Sequence, residues 1–322
     1  MSYDLVNGRI AYREPFVIDV RPEVAAALRE RRPVVALEST LIAHGLPWPV
    51  NLETAQAAEQ AVRAAGAVPA TIAVLGGRPT VGLIEAELAD LARTPGARKA
   101  SRRDLGPAVA AGARAATTVS ATMAIAHAAG LRVFATGGIG GVHPSARGRS
   151  WDVSADLTEL ARTPVAVVCA GAKSILDLEA TLEALETAGV PVLGYATDTF
   201  PAFYLASSGL PVSARVDTPE QAAAALRAHW ELGGAGAVLA QPLPAEAALS
   251  AEEWAGALRR AEERAAQEGV RGPALTPFLL AHLAELTGGR TLRANRELIV
   301  ANAGLAARVA VALERGGAPC GR

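Results

Sequence analysis

Short apolar runs recur along the chain, and longer stretches with apolar positions three or four residues apart lie between them. The runs PVVALE (33–38), ATIAVLG (70–76), ATTVS (116–120), RVFAT (132–136), VAVVC (165–169), PVLGYA (191–196) and GAVLAQ (236–241) are bounded by Gly, Pro or Thr. Their length and β-branched content predict seven strands. The stretches NLETAQAAEQAVRAAG (51–66), TVGLIEAELADLAR (80–93), SILDLEATLEALETAG (174–189) and TPEQAAAALRAHWELG (218–233) end near Gly or a basic residue, as helices do. This alternation predicts a three-layer α/β/α fold, with helices on both faces of a largely parallel or mixed sheet. After Gln241 the strand-like runs stop. SAEEWAGALRRAEERAAQEG (250–269), TPFLLAHLAELTG (276–288) and NRELIVANAGLAARVAVALERGG (295–317) predict a helical C-terminal part. No fixed-period repeat and no long Pro/Ser linker divides the chain. One domain over 1–322 is expected, with residues 1–15 and 316–322 as loosely anchored tails.

Composition narrows the function classes. The chain has 322 residues, 51% of them hydrophobic, enough for a large core. A net charge of −1 provides no global field for nucleic acid or an anionic membrane, and 4% aromatics leave little to stack on bases. No apolar run approaches the roughly 18 residues of a membrane span. MSYDLVNGRIAYREPF at the N-terminus has no signal-peptide core. Cys169 and Cys320 stand far apart, with neither metal spacing nor a disulfide framework. A soluble cytoplasmic protein is expected.

Of 31 basic residues only two are lysine, Lys99 and Lys173. Arginine is effectively never deprotonated, whereas a desolvated lysine can lose its proton and act as a nucleophile. Lys173 follows a predicted strand in VVCAGAKSILD (167–177). Ser174, with Asp177 three residues on, reads as a helix N-cap, which would put Lys173 at a helix mouth. There the helix dipole and the apolar strand behind both favour a neutral amine, able to add to a carbonyl carbon. The alternative is a lysine that extends to water. Other polar residues also fall at strand ends, where open α/β sheets gather ligands: Glu38, Thr136, Thr197 and Asp198.

TGGIGGVHPS (136–145) is glycine-rich and reads either as an anion nest, with Thr136 and His143 adding donors, or as a plain turn. WDVSADL (151–157) places Asp152, Ser154 and Asp156 at alternate positions. That suits a water-rich Mg²⁺ or Mn²⁺ site, or else a helix that Ser154 caps. RKASRRDLG (98–106) reads as a patch for an anionic substrate or a basic surface loop. His44, His127, His229 and His282 share no zinc-type spacing, although His44 is placed to line a cleft beside Glu38.

Taken in order, VVALESTLIAHGLPWPVNLETA, KASRRDLG, TTVSATM, FATGGIGGVH, DVSADLTEL, CAGAKSILDLEATLE, TDTFPAFY and ANRELIVANAGLAARVAVAL resemble the pseudouridine-5′-phosphate glycosidase family, also called indigoidine synthase A-like. The resemblance covers roughly residues 20–314. It implies reversible cleavage of pseudouridine 5′-phosphate to uracil and ribose 5-phosphate, classed as a lyase with pseudouridylate synthase activity. It also implies a divalent metal, usually manganese, and a homotrimer. By this resemblance Glu38 is the proton donor, Lys173 the covalent nucleophile and Asp152 the metal ligand. Lys99, Val119, Ser154, Ala155 and Asp156 contact substrate, and Thr136, His143 and Asn295 belong to its phosphate and ribose shell. The residue after TD, often Glu in the family, is Thr199 here. No sugar-kinase-like domain fits in the remaining chain. Two rival readings share the scaffold: another Schiff-base lyase or aldolase acting on a sugar phosphate, and a nucleotide-binding protein without turnover.

Overall fold

The apolar runs form strands covered on both faces. In Val34–Leu37, Ala166–Cys169 and Ala237–Ala240 every residue is buried, the signature of parallel strands between two helical layers. The computed structural model describes residues 3–6, 9–12, 18–144, 152–270 and 275–316. Ser145, Trp151, Cys320, residues 317–322 and parts of the N-terminal tail lie outside them.

Strands β1 (Tyr3–Val6) and β2 (Arg9–Tyr12) pair with each other, antiparallel. The main sheet comprises β3 (Asp19–Val20), β4 (Val34–Leu37), β5 (Val68–Leu75), β6 (Arg78–Val81), β7 (Arg98–Ala100), β8 (Ala115–Thr117), β9 (Val133–Ala135), β10 (Ala166–Cys169), β11 (Val192–Tyr195), β12 (Ala214–Val216) and β13 (Ala237–Ala240). Its order is β12-β11-β13-β10-β9-β4-β5-β6-β3, with β8 on β5 and β7 on β8. From β12 to β5 all neighbours are parallel. β5 pairs with β4 through Val68–Thr71, and its second half turns to antiparallel partners β6 and β8.

The helices are α1 (Pro22–Arg29), α2 (Val50–Ala64), α3 (Glu85–Arg93), α4 (Leu105–Ala110), α5 (Val119–Ala128), α6 (Ala155–Leu160), α7 (Leu178–Thr187), α8 (Pro219–Glu231), α9 (Ala251–Gln267), α10 (Leu275–Leu286) and α11 (Arg290–Gly316). α11 runs along β4, β9 and β10 with α2 and α8 beside it, while α5 packs on β5, β8 and α6. The result is the expected three-layer α/β/α arrangement with a mixed sheet and a helical C-terminal part.

All seven expected strands are present, and four short ones in the main sheet are added. ATTVS is cut short: its strand ends at Thr117, and Val119 already opens α5. Val119 to Ala126 are all buried, so this helix is buried on all sides and resembles a strand run in sequence. Thr80 and Val81, expected in a helix, close β6 instead, and the helix starts at Glu85.

Candidate active site

β4, β9 and β10 are parallel neighbours in the sheet. Glu38, Thr136 and the Lys173 loop leave their carboxyl ends side by side, where ligands collect in such sheets. The Thr136 hydroxyl donates a hydrogen bond to Glu38 Oε1. Burial pushes the Glu38 carboxyl above its ordinary value. Lys173, the Thr136 hydrogen bond and Lys99 pull it back, and Asp156 adds to the rise. Glu38, Lys99, Asp156 and Lys173 therefore share one electrostatic neighbourhood.

Lys99 lies on β7, which pairs with β8 in a register that sets Lys99 opposite Ala116. Lys99 is exposed as a residue, yet partial desolvation of its ammonium, then the like charge of Lys173, lowers its pKa; Glu38 and Asp156 oppose that.

Lys173 is half-buried and held by backbone on two sides. Its N–H bonds Ile139 O at 3.2 Å, and Ile139 N–H bonds Gly171 O at 3.1 Å. Gly171 has φ +80°, and a Cβ there would lie 1.9 Å from Pro201 O, so no other residue fits. The helix after Lys173 begins later than expected. Asp177, not Ser174, is its N-cap, accepting from Ala180 N at 3.0 Å. Ser174 is diverted to the 202–204 loop: its hydroxyl donates to Ala202 O at 2.6 Å and accepts from Tyr204 N at 3.1 Å. Lys173 thus sits on a turn and not at a helix mouth, which removes the dipole from the account of its amine.

The glycine-rich loop is tied down by bonds within the protein. Five of its N–H groups are taken by the protein: those of Thr136, Ile139, Gly140, Val142 and His143. These bonds make the loop a brace across the site. Asp156 is the pin of this brace. Its carboxylate is buried and accepts from Gly140 N at 2.9 Å and from Ser120 N at 3.0 Å. Ser154 takes the capping role, accepting from Asp156 N at 3.2 Å. Ala155, the first residue of α6, is exposed.

Replacing Gly140 tests this brace. Its Cβ would fall 2.2 Å from Ser154 Oγ and 2.8 Å from Asp156 Oδ2. Gly140→Ala is expected to cost about 1–3 kcal/mol in chemical denaturation, as overpacking does, and to lower activity with it. Gly106→Ala in α4 has open space and serves as the control, with stability unchanged or slightly raised.

Other expected site residues are more dispersed. Val119 is buried at the start of α5, which Ser39 helps place by accepting from Thr117 N at 2.9 Å. His44 bonds Ala97 O at 2.9 Å through Nε2. With Tyr204 and Asn295 it lines an open cavity of about 430 Å³ between the one-turn helix Leu41–Gly45 and α10–α11. His143 N–H bonds the carbonyl of exposed Asp152 at 2.9 Å, at the far end of the loop.

Asn302 was not among the expected residues. It is 1% exposed, and its amide donates to Thr136 O at 2.9 Å and Gly137 O at 3.3 Å. It lies two helical turns after Asn295 on α11, so one helix face supplies both asparagines. That spacing within ANRELIVAN is the signal in the sequence. Ser39 and Ser120 carry no comparable signal, because their partners lie 78 and 36 residues away.

Comparison with known proteins identifies relatives of the chain. Residues 23–312 match the family described as indigoidine synthase A like protein. The chain is 62% identical over 299 residues to the pseudouridine-5′-phosphate glycosidase of Rhodospirillum centenum, covering 92% of this chain and 93% of the relative. It is 59% identical to the enzyme of that name from Roseiflexus sp. over 304 residues, 94% of this chain and 97% of the relative. Among solved structures it is similar to the prealnumycin C-glycosynthase in complex with ribulose 5-phosphate. The TM-score is 0.87 with 43% identity, over 95% of this chain and 99% of that one.

Proposed function

This chain belongs to the indigoidine synthase A-like family, and from that premise we propose that it reversibly cleaves pseudouridine 5′-phosphate to uracil and ribose 5-phosphate. The observation that carries the reading is the placement of Glu38 and Lys173, a carboxylic acid and an amine, at neighbouring strand ends in one electrostatic neighbourhood.

The bond to be broken joins two carbons, so the leaving atom offers no lone pair to protonate, as ordinary glycosidases require. Glu38 gives its proton to the ribose ring oxygen as the C1′–O bond breaks. The Lys173 amine forms a bond to C1′. A proton from that nitrogen reaches uracil C5, the C1′–C5 bond breaks, and uracil leaves. A protonated imine between Lys173 and the pentose phosphate remains. Water adds to its carbon, ribose 5-phosphate departs, and one proton is released, equal to the one Glu38 gave. A Glu38 pKa raised by burial keeps the acid form available. Lys99 supplies a compact positive charge for the anionic substrate, and Asp156 holds Gly140 and Ser120 in place around it. Val119, Ser154, Ala155, Thr136, His143 and Asn295 complete the substrate shell in this reading.

The family implies manganese or magnesium at Asp152. Among the described residues no three His, Cys, Asp or Glu side chains come together to cage a metal. A single exposed carboxylate suits a hard ion that keeps most of its water, and not a thiolate–imidazole zinc site. Bound there, such an ion supplies positive charge beside the anionic substrate. Trimeric assembly and a cytoplasmic location belong to the same proposal. No described helix is long and apolar enough to cross a membrane.

The test is direct. Purified protein with a divalent ion and pseudouridine 5′-phosphate is expected to release uracil and ribose 5-phosphate in equal amounts, and to run backwards from the products. Cleavage of ketose phosphates without uracil release would point to an aldolase. Tight binding without turnover would point to a nucleotide-binding protein.

A further inference from the structure

Glu38 has a second neighbourhood that the mechanism above leaves unused. A small cavity is lined by Leu37, Glu38, Thr71, Thr136 and, from the helical layer, Ala55, Ala58 and Ile299. It has about 20 Å³ of room for a water-sized occupant, enough for about one molecule. Its lining is apolar apart from Glu38, Thr71 and Thr136, within the two to four polar partners a buried water needs. The β4–β5 register sets Thr71 opposite Leu37, the residue before Glu38. Beyond Thr71 lies a second carboxyl: the buried Thr71 hydroxyl donates to Glu59 Oε1 at 2.6 Å. Glu59 stands on α2, one residue after the cavity-lining Ala58, and is half-buried. Its charged neighbours are Arg63 and Glu23, which form an exposed ion pair at the protein surface.

We propose that Thr71 and Glu59 form a proton path that connects Glu38 to solvent from the α2 side, through one water held in this cavity. The proposal rests on Glu38 being the acid. A sugar phosphate bound between Glu38 and Lys173 occupies the cleft side of Glu38, so a route through the helical layer lets its proton exchange while ligand is bound. The relay balances. Glu59 passes a proton to Thr71 Oγ, the Thr71 hydroxyl proton passes to the water, and a water proton passes to the Glu38 carboxylate. Glu59 is left ionised, with Thr71 and the water unchanged, and solvent then returns a proton to Glu59. The reverse sequence carries a proton out. Burial raises the Glu59 carboxyl as it does Glu38, so the two ends are shifted in the same direction.

Glu59→Gln and Thr71→Val keep the shape of each side chain and interrupt the path at different points. Rapid-quench measurement of uracil separates the first turnover from the later ones. In both variants the steady-state rate is expected to fall several-fold more than the first-turnover rate. Adding a small weak acid such as acetic acid should restore part of the loss in a concentration-dependent way. Equal slowing of both phases, an unchanged steady state, or no response to the added acid would overturn the proposal. A wild-type protein that fails to release uracil even once would instead overturn the role given to Glu38 and Lys173. The melting temperatures of both variants confirm that the fold is intact.

Discussion

Lys173→Arg is expected to retain the fold and lose turnover by at least about 10³-fold, the scale on which removal of a covalent nucleophile acts. Arginine keeps the positive charge but cannot deprotonate, so it cannot bond to C1′. The backbone around this position is set by Gly171, Ile139 and Ser174, none of which depends on the lysine side chain. Substrate affinity, read by calorimetry, should change far less than the rate. A variant with near-normal turnover would show that positive charge alone is needed at 173.

The second large effect is at Glu38. Glu38→Gln is expected to lower kcat by about 10²–10⁴-fold, the usual worth of a positioned acid. The wild-type rate should fall as pH rises through the Glu38 pKa, which burial holds above the ordinary carboxylate value. In the glutamine variant that limb should vanish from the residual rate. Wild-type stability falls with rising pH as well. A carboxyl whose pKa is raised on folding favours the folded state fully below its ordinary value, and that contribution fades as pH rises through the raised one. Glutamine does not titrate, so the variant should gain stability relative to wild type across this window. Paired denaturation curves at several pH values measure it. An unchanged rate limb in the variant would assign the titration to another group.

Legibility differed between fold and site for physical reasons. The central strands announce themselves because burial on both faces demands unbroken apolar runs such as VVAL and AVVC. Asp19–Val20, Arg98–Ala100 and Ala214–Val216 are too short and too polar to show a period, and they exist because a neighbouring strand offers an edge. The candidate site residues were readable as motifs, since Glu38 and Thr136 directly follow such runs. What holds them was not. Asp177, not Ser174, caps the helix, while the 202–204 loop claims the Ser174 hydroxyl. The amides of Gly140 and Ser120 meet on Asp156 through tertiary packing alone.

The two lysines sharpen the remaining question, because partial desolvation lowers the pKa at Lys99 while Lys173 carries the proposed bond. Borohydride reduction in the presence of ribose 5-phosphate, followed by peptide mass mapping, decides between them. A reduced pentose-phosphate adduct on the peptide that contains Lys173, absent from Lys173→Arg, is the predicted result. An adduct confined to Lys99, or no adduct on protein that turns over, would contradict the account.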